Sequence, residues 1–342
     1  MEALISSLTR QLVFAVKHAS DVAAARRAGQ RLADQLGFSE TRAGQLALIV
    51  TEAGTNILKH AEEGELHIGQ AQSNSGVGID VLAIDKGPGI IDVDACLVDG
   101  MSTAGTAGTG LGALRRLSSE FDVYTEPGQG AAFFMRLWRD SVALEPCGLE
   151  IGALWTPIAG EEECGDGWGV CCDARGASLV AADGLGHGPE AALAAAAAIG
   201  TLARNPAAPA GELMHAAHEA LRPTRGAAMA TARIDHDSGE LRFAGVGNIA
   251  ACVIDGSRRS LVSHNGIVGH NMRKVQEFAV PFGVGALCIL HSDGIQTQWD
   301  LDKYPGLAGR SAALVAAVLM RDFIRRRDDA MVLVLRRSGA CA

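Results

Sequence analysis

Apolar residues in the first part of the chain recur at two spacings, and the change of spacing marks the elements. From Ser20 to Leu36 they fall at helical intervals, and Gly37 stands where such a helix would end. Ser39 is placed to cap a second helix running through Leu46, Ile49, Ile57 and Leu58. The spacing then tightens: 65–71, 78–84, 121–125 and 131–138 are alternating or short apolar runs, and each predicts a strand. The order of helices and strands predicts a sheet with helices packed mainly on one face. Around 140–148 the pattern breaks, and Pro146 and Gly148 predict a linker.

Beyond the linker the pattern predicts strands at 149–156, 168–173, 177–182, 228–235, 240–246, 250–255, 275–279, 287–291 and 330–335. Helices are predicted over 189–203, where Pro189 suits a first turn, over 212–221 and over 309–325. Many strands with long helices predict a β-sandwich flanked by helices. No internal repeat relates the halves. The 342 residues therefore divide into two mixed α/β (α+β) domains, 1–140 and 147–342, each of ordinary size.

Composition narrows the class. Hydrophobic residues at 48% and charged residues at 20% fit a globular protein rather than a disordered one. A net charge of −9 gives no basic footprint, so neither nucleic acid nor an anionic membrane is an expected partner. The start, MEALISSLTRQLVFAVKH, lacks the features of a secretory signal, and the apolar run 189–203 is mostly alanine and too short to span a bilayer. The eight cysteines include no CxxC, and Cys171 and Cys172 read as buried thiols; both points suggest the cytoplasm. His215 and His218 lie three apart without an HExxH motif and read as helix surface rather than zinc ligands.

Three elements in the first half form a nucleotide constellation. Glu52 and Asn56 are one helical turn apart in TEAGTNILKHA. Asp85-Lys-Gly87-Pro-Gly89 follows the strand VLAI, and Gly108-Thr109-Gly110-Leu-Gly112 opens the helix ALRRL. Glycines at a helix start let backbone N–H groups close on a phosphate, and the helix dipole adds to the attraction. A carboxylate after a buried strand can accept from an adenine amino group, and an amide oxygen suits Mg²⁺. Each part alone also arises by chance. Together they resemble the ATPase family shared by gyrase, the large heat-shock chaperone, sensor histidine kinases and MutL.

The stretch from about Phe14 to Trp138 is most similar to the small anti-sigma-factor serine kinases of the RsbW and RsbT type, through DGMSTAGTAGTGLGALRRLSSEFDVYTEPGQG. No phospho-acceptor histidine box accompanies it. The resemblance implies a Bergerat-type α/β sandwich, with Glu52 as the base for a serine hydroxyl and Asn56 as the Mg²⁺ ligand. It implies Asp85 as the adenine contact, with Gly87 and Gly89 shaping the pocket. Gly108, Thr109, Gly110 and Gly112 would hold the phosphates, with Ser102 and Thr103 in the lid. Relatives usually carry Thr after the last glycine of the closing strand, where this chain has Gly130-Ala131 and lacks a hydroxyl.

In the second half, Gly165-Asp166, Asp183-Gly184-Leu-Gly-His187-Gly188, Ser292-Asp293-Gly294 and Asp328-Asp329 stand at strand ends or loops. Any one of them reads as a turn. Four together are the all-oxygen set that two Mg²⁺ or Mn²⁺ ions prefer, and zinc would want histidine or thiolate instead. These motifs, with RGAAMATARID, AGVGNIAA and NGIVGH, resemble the SpoIIE/RsbX branch of the metal-dependent protein phosphatases over about 147–337.

The second resemblance implies metal contacts from Asp166, Asp183, the Gly184 carbonyl, Asp293 and Asp328, and direct attack of water on phosphoserine or phosphothreonine. His187 is either a proton donor or phosphate contact, or a structural loop residue. Asn248 reads as structural. The closing motif continues with Ala330-Met331 and lacks the usual hydroxyl. The combined expectation is a partner-switching regulator of bacterial signalling that uses ATP with Mg²⁺ or Mn²⁺. It would act on a STAS-domain antagonist phosphorylated on Ser or Thr, with a sigma factor or downstream signalling enzyme beyond it. Two alternatives stand beside this: an ATP-binding module that only sequesters a partner, with phosphatase as the one activity, and a general nucleotide phosphatase.

Overall fold

The computed structural model describes residues 4–9, 11–73, 76–97, 110–140 and 148–339. The first elements are β1 (Leu4–Ser6), β2 (Leu12–Val16), α1 (Ala19–Gln35), α2 (Glu40–His60), β3 (Gly64–Ser73), β4 (Gly76–Asp85), α3 (Val93–Leu97), α4 (Gly110–Leu117), β5 (Glu120–Thr125) and β6 (Ala131–Trp138). Strands β2 to β6 form one antiparallel sheet in the order β2-β3-β4-β6-β5.

The expected punctuation is present: Gly37 follows α1 at φ +72, and the Ser39 hydroxyl accepts from the Arg42 N–H to cap α2. Leu46, Ile49, Val50, Ala53 and Ile57 put the apolar stripe of α2 onto the core face of the sheet, against Leu66, Ile68, Val81 and Phe133.

The chain continues through β7 (Leu149–Thr156), β8 (Asp166–Asp173), β9 (Gly176–Gly184), α5 (Pro189–Arg204), α6 (Ala210–Leu221), β10 (Ala227–Asp235), β11 (Glu240–Val246), β12 (Ala250–Asp255), β13 (Ser257–Leu261), β14 (Phe278–Pro281), β15 (Leu287–His291), α7 (Ala312–Phe323) and β16 (Ala330–Arg337). Two antiparallel sheets result, β1-β8-β9-β10-β11-β14 and β13-β12-β15-β16-β7. Their core includes Trp155, Trp168, Phe243, Phe282 and Leu333, and α5 and α6 cover the first sheet through Ala198, Leu202, Leu213 and Met214. This is the mixed α and β sandwich that the pattern predicts. The buried Cys171 and Cys172 lie on β8.

Four segments depart from the pattern. LIS and LVFAV in β1 and β2 are too short to show a period, and they pair with β8 and β3. The edge strand β13, SRRSL, is charged and mostly exposed, so it carries no apolar signal. β14 lies later than the predicted 275–279, with Phe278 opposite Phe243 of β11.

The chain also packs as two units that do not follow chain order. One unit comprises Thr9–Leu144 with Gly309–Arg321, and the other comprises Met1–Leu8, Glu145–Ala308 and Asp322–Ala342. The division at the linker is thus crossed by the segment of β1 and by most of α7. Among the described residues no helix is long and apolar enough to cross a membrane.

Candidate active sites

In the first unit, α2 presents Glu52 and Asn56 on one face. The start of α4 comes onto both: a Cβ on Gly110 would stand 3.4 Å from Asn56 Oδ1 and 3.5 Å from Glu52 Oε2. The Asn56 amide nitrogen is buried with no hydrogen-bond partner among the described residues, an orphaned group that fits an absent polar ligand.

Asp85 ends β4, and its Oδ1 accepts the N–H of Gly87 at 2.8 Å and of Ala131 at 3.2 Å. Burial pushes its carboxyl above the ordinary value, opposed by these two bonds and by the charges of Arg321 and His60. Gly89, at φ +72, lies so close to the Glu126 carbonyl that a side chain would collide with it. The Thr125 hydroxyl accepts the Ile90 N–H and donates to the Gly130 carbonyl, tying the loop after Asp85 to the closing hairpin. The hydroxyl missing at Ala131 is therefore accompanied by a main-chain bond to Asp85 itself. Gly112 is buried in α4. Ser102, Thr103, Gly108 and Thr109 lie outside the described residues.

In the second unit, Asp166 opens β8 directly opposite Asp183 at the end of β9. Asp293 follows β15, and Asp328 precedes β16. Asp166 is buried, and its Oδ2 has no hydrogen-bond partner among the described residues. Burial first, and then the charge of Asp183, raise its pKa well above the ordinary value. Asp183 is pushed up to about 7 by burial and by Asp293, Asp328 and Asp329. Burial and Asp328 also raise Asp293, while Arg325 and a bond from Asn248 oppose the shift. Gly184 packs against the Ala191 carbonyl in the first turn of α5, where a Cβ would collide.

Among the described residues no three His, Cys, Asp or Glu side chains are arranged to hold one ion together. The crowded, oxygen-only acids and the orphaned Asp166 oxygen nevertheless fit hard divalent cations, which retain several waters. Asp166, Asp183, Asp293 and Asp328 lie near enough to influence one another's charge, and several other residues join them. Asn248, read from sequence as structural, donates to Asp293 Oδ2 at 2.7 Å. The Ser292 hydroxyl bonds Asp166 and accepts the Met331 N–H at 3.0 Å. Asp329 holds both ends of the loop 158–165, accepting the Ile158 N–H at 2.7 Å and the Gly165 N–H at 2.6 Å. That loop carries Glu161, whose carboxylate lies 2.8 Å from His187 Nδ1 and against Gly188.

Comparison with known proteins matches two segments of the chain to families. Residues 15–136 match the model of the histidine kinase-like ATPase domain. The serine/threonine-protein kinase RsbT of Bacillus subtilis (strain 168) is 33% identical over 118 residues, which are 34% of this chain and 89% of RsbT. Through this domain the chain belongs to the RsbT family.

Residues 173–338 match the model of stage II sporulation protein E, SpoIIE. A chain from a structural study of the bacterial stressosome, a modular system adapted to control secondary messenger signalling, is 31% identical with a TM-score of 0.52. That match covers 55% of this chain and 99% of the other. RsbX in complex with magnesium shares the fold at 19% identity and a TM-score of 0.51, covering 56% of this chain and 96% of RsbX. The protein is a kinase-like ATPase domain of the partner-switching type fused to a SpoIIE-type protein phosphatase domain.

Proposed function

We propose that the phosphatase domain removes phosphate from a serine or threonine of a STAS-domain antagonist, and that the RsbT-like domain binds ATP and phosphorylates the same class of partner. The reading rests above all on Asp166 and Asp183, paired across two strands and crowded by Asp293, Asp328 and Asp329 with little positive charge to offset them. Asp166, Asp183, Asp293, Asp328 and the Gly184 carbonyl are the groups that would hold Mg²⁺ or Mn²⁺. When bound, such ions supply ionised water at neutral pH and neutralise charge on the phosphate in transit.

His187, with Nδ1 held by Glu161, presents Nε2 for protonating the departing serine oxygen. In the ATPase domain Asp85 accepts the adenine amino group, Glu52 takes the proton of the attacking serine hydroxyl, and Asn56 is the Mg²⁺ contact. Gly110 and Gly112, in the first turn of α4, close on the phosphates.

The test uses the purified chain with a candidate STAS protein. Labelled ATP with Mg²⁺ should place label on the STAS serine, and the labelled protein should lose it with Mn²⁺ or Mg²⁺ but not in excess chelator. Dephosphorylation that persists in chelator would overturn the phosphatase reading. Tight ATP binding without label transfer would reduce the first domain to a binding module.

A further inference from the structure

Helix α7 brings an arginine to the nucleotide site from the far end of the chain. In sequence the helix lies between Asp293 and Asp328, within the phosphatase motifs, yet Gly309–Arg321 packs in the unit of the ATPase domain. Every residue of the helix from 312 to 321 is buried, which removes the polar face that a surface helix would keep. Two contacts pin it to the ATPase sheet. At its start, Asp122 of β5 accepts the Ser311 N–H at 2.8 Å and pairs with Arg310 at 3.3 Å. At its end, Arg321 Nη1 donates to the Asp85 carbonyl oxygen at 3.2 Å. Strand β6 lies between β5 and β4, so the anchors span three strands.

Arg321 and Asp85 are 6% and 8% exposed. Burying a guanidinium carries a desolvation cost, and here it sets positive charge next to Asp85. The charge arrives beside a buried acid whose carboxyl burial pushes above its ordinary value, and it opposes that shift. A protonated carboxyl turns one of its oxygens into a donor, and a donor faces the adenine 6-amino group badly. The other groups set around Asp85 are the N–H groups of Gly87 and Ala131 and the imidazole of His60 at the end of α2.

We propose that Arg321 is a positioning residue of the nucleotide site, fixing the main chain of Asp85 and keeping its carboxylate an acceptor for adenine. The ATP site is then complete only when α7 is in place. This rests on the reading of Asp85 as the adenine contact.

The test is calorimetric titration of the full chain with Mg-ATP and Mg-GTP at pH 6 and pH 8, for wild type, Arg321→Met, Arg321→Lys and Asp85→Asn. Arg321→Met should weaken ATP binding at least about tenfold, with the loss larger at pH 6 and the preference for adenine over guanine reduced. Arg321→Lys keeps the charge and should recover most of the affinity and the wild-type pH profile. Turnover of an aryl phosphate by the phosphatase domain reports whether each variant is folded. Where Arg321→Met loses that turnover as well, Arg321→Lys decides: wild-type ATP affinity and pH profile support the proposal, and a loss of affinity in a folded protein overturns it. Arg321→Met binding ATP as wild type does, or Met and Lys variants losing affinity equally, overturns the role of Arg321 alone. A wild-type chain that binds no ATP, or Asp85→Asn binding it normally, overturns the reading of Asp85 and the proposal together.

Discussion

At the end of β4, Asp85 is buried among donors and cations: the Gly87 and Ala131 N–H groups bond its Oδ1, and Arg321 holds its carbonyl. Asp166 and Asp183 are buried among other acids, with Ser292 giving Asp166 a hydroxyl and Arg325 standing beside Asp293. The contrast indicates what each site lacks. A carboxylate held by two N–H groups beside positive charge can take a further neutral donor, such as a nucleobase amino group. A group of acids that repel one another needs positive charge, and hydrogen-bond donors alone cannot supply enough of it.

The largest effect should come from thinning the acids. Asp183→Asn or Asp293→Asn should lower Mn²⁺-dependent turnover of an aryl phosphate by orders of magnitude, measured under saturating metal. In chelator the same variants should melt above the wild type, because each removes one repelling charge. A variant that melts lower in chelator would show the acids to be structurally paired instead.

The next effect is a pH dependence with opposite signs at the two sites. Asp183 binds its proton more tightly in the folded state, with the pKa moved from 3.8 to about 7, so its charging opposes folding. Chelated protein should therefore lose stability as pH rises from about 4 to about 7, by on the order of 4 kcal/mol at roughly 1.4 kcal/mol per unit. Saturating Mn²⁺ should flatten that slope, as thermal melts across pH will read. Asp85 must be ionised to accept adenine, so acid should weaken ATP binding at a pH above the ordinary carboxylate range. Parallel slopes for stability and ATP affinity would break the contrast.

A third expectation isolates the nucleotide site. ATP at about a hundred times its Kd should stabilise the domain by about 2.7 kcal/mol, seen as a rise in Tm, and Asp85→Asn should remove that rise. Glu52→Ala should keep the rise while abolishing label transfer. The smallest expected effect concerns the Glu161–His187 pair. Glu161→Gln should lower kcat on a phosphoserine protein about tenfold, or about 1.4 kcal/mol. A nitrophenyl phosphate, whose leaving group needs no proton, should hardly notice the change. Equal losses on both substrates would mean that Glu161 shapes the loop rather than the proton transfer.

Residues acting within short motifs were readable from sequence. Asp85 with its glycines, and Asp183 with Gly184, announce themselves because a turn after a buried strand constrains several neighbours at once. The bond from Asn248 to Asp293 spans 45 residues and leaves no local trace. Arg321 lies 236 residues from the carbonyl it holds, and in sequence it is only the last turn of an apolar helix. Glu161 lies 26 residues from His187, and its pairing with that imidazole leaves no local trace in the sequence. The boundary at the linker was read from a break in the apolar pattern with Pro146 and Gly148, and such a break carries no trace of where a distant helix packs.

The interleaving of α7 and β1 also sets an order of events on the ribosome. β1 is made first, but its partner β8 begins only at Asp166, so the opening strand waits while the whole ATPase sheet is synthesised. That sheet in turn waits for Gly309–Arg321, with Glu145–Ala308 translated in between. At roughly 5–20 residues per second this interval is on the order of ten to thirty seconds. Throughout it the ATPase sheet stands without the helix that completes its unit.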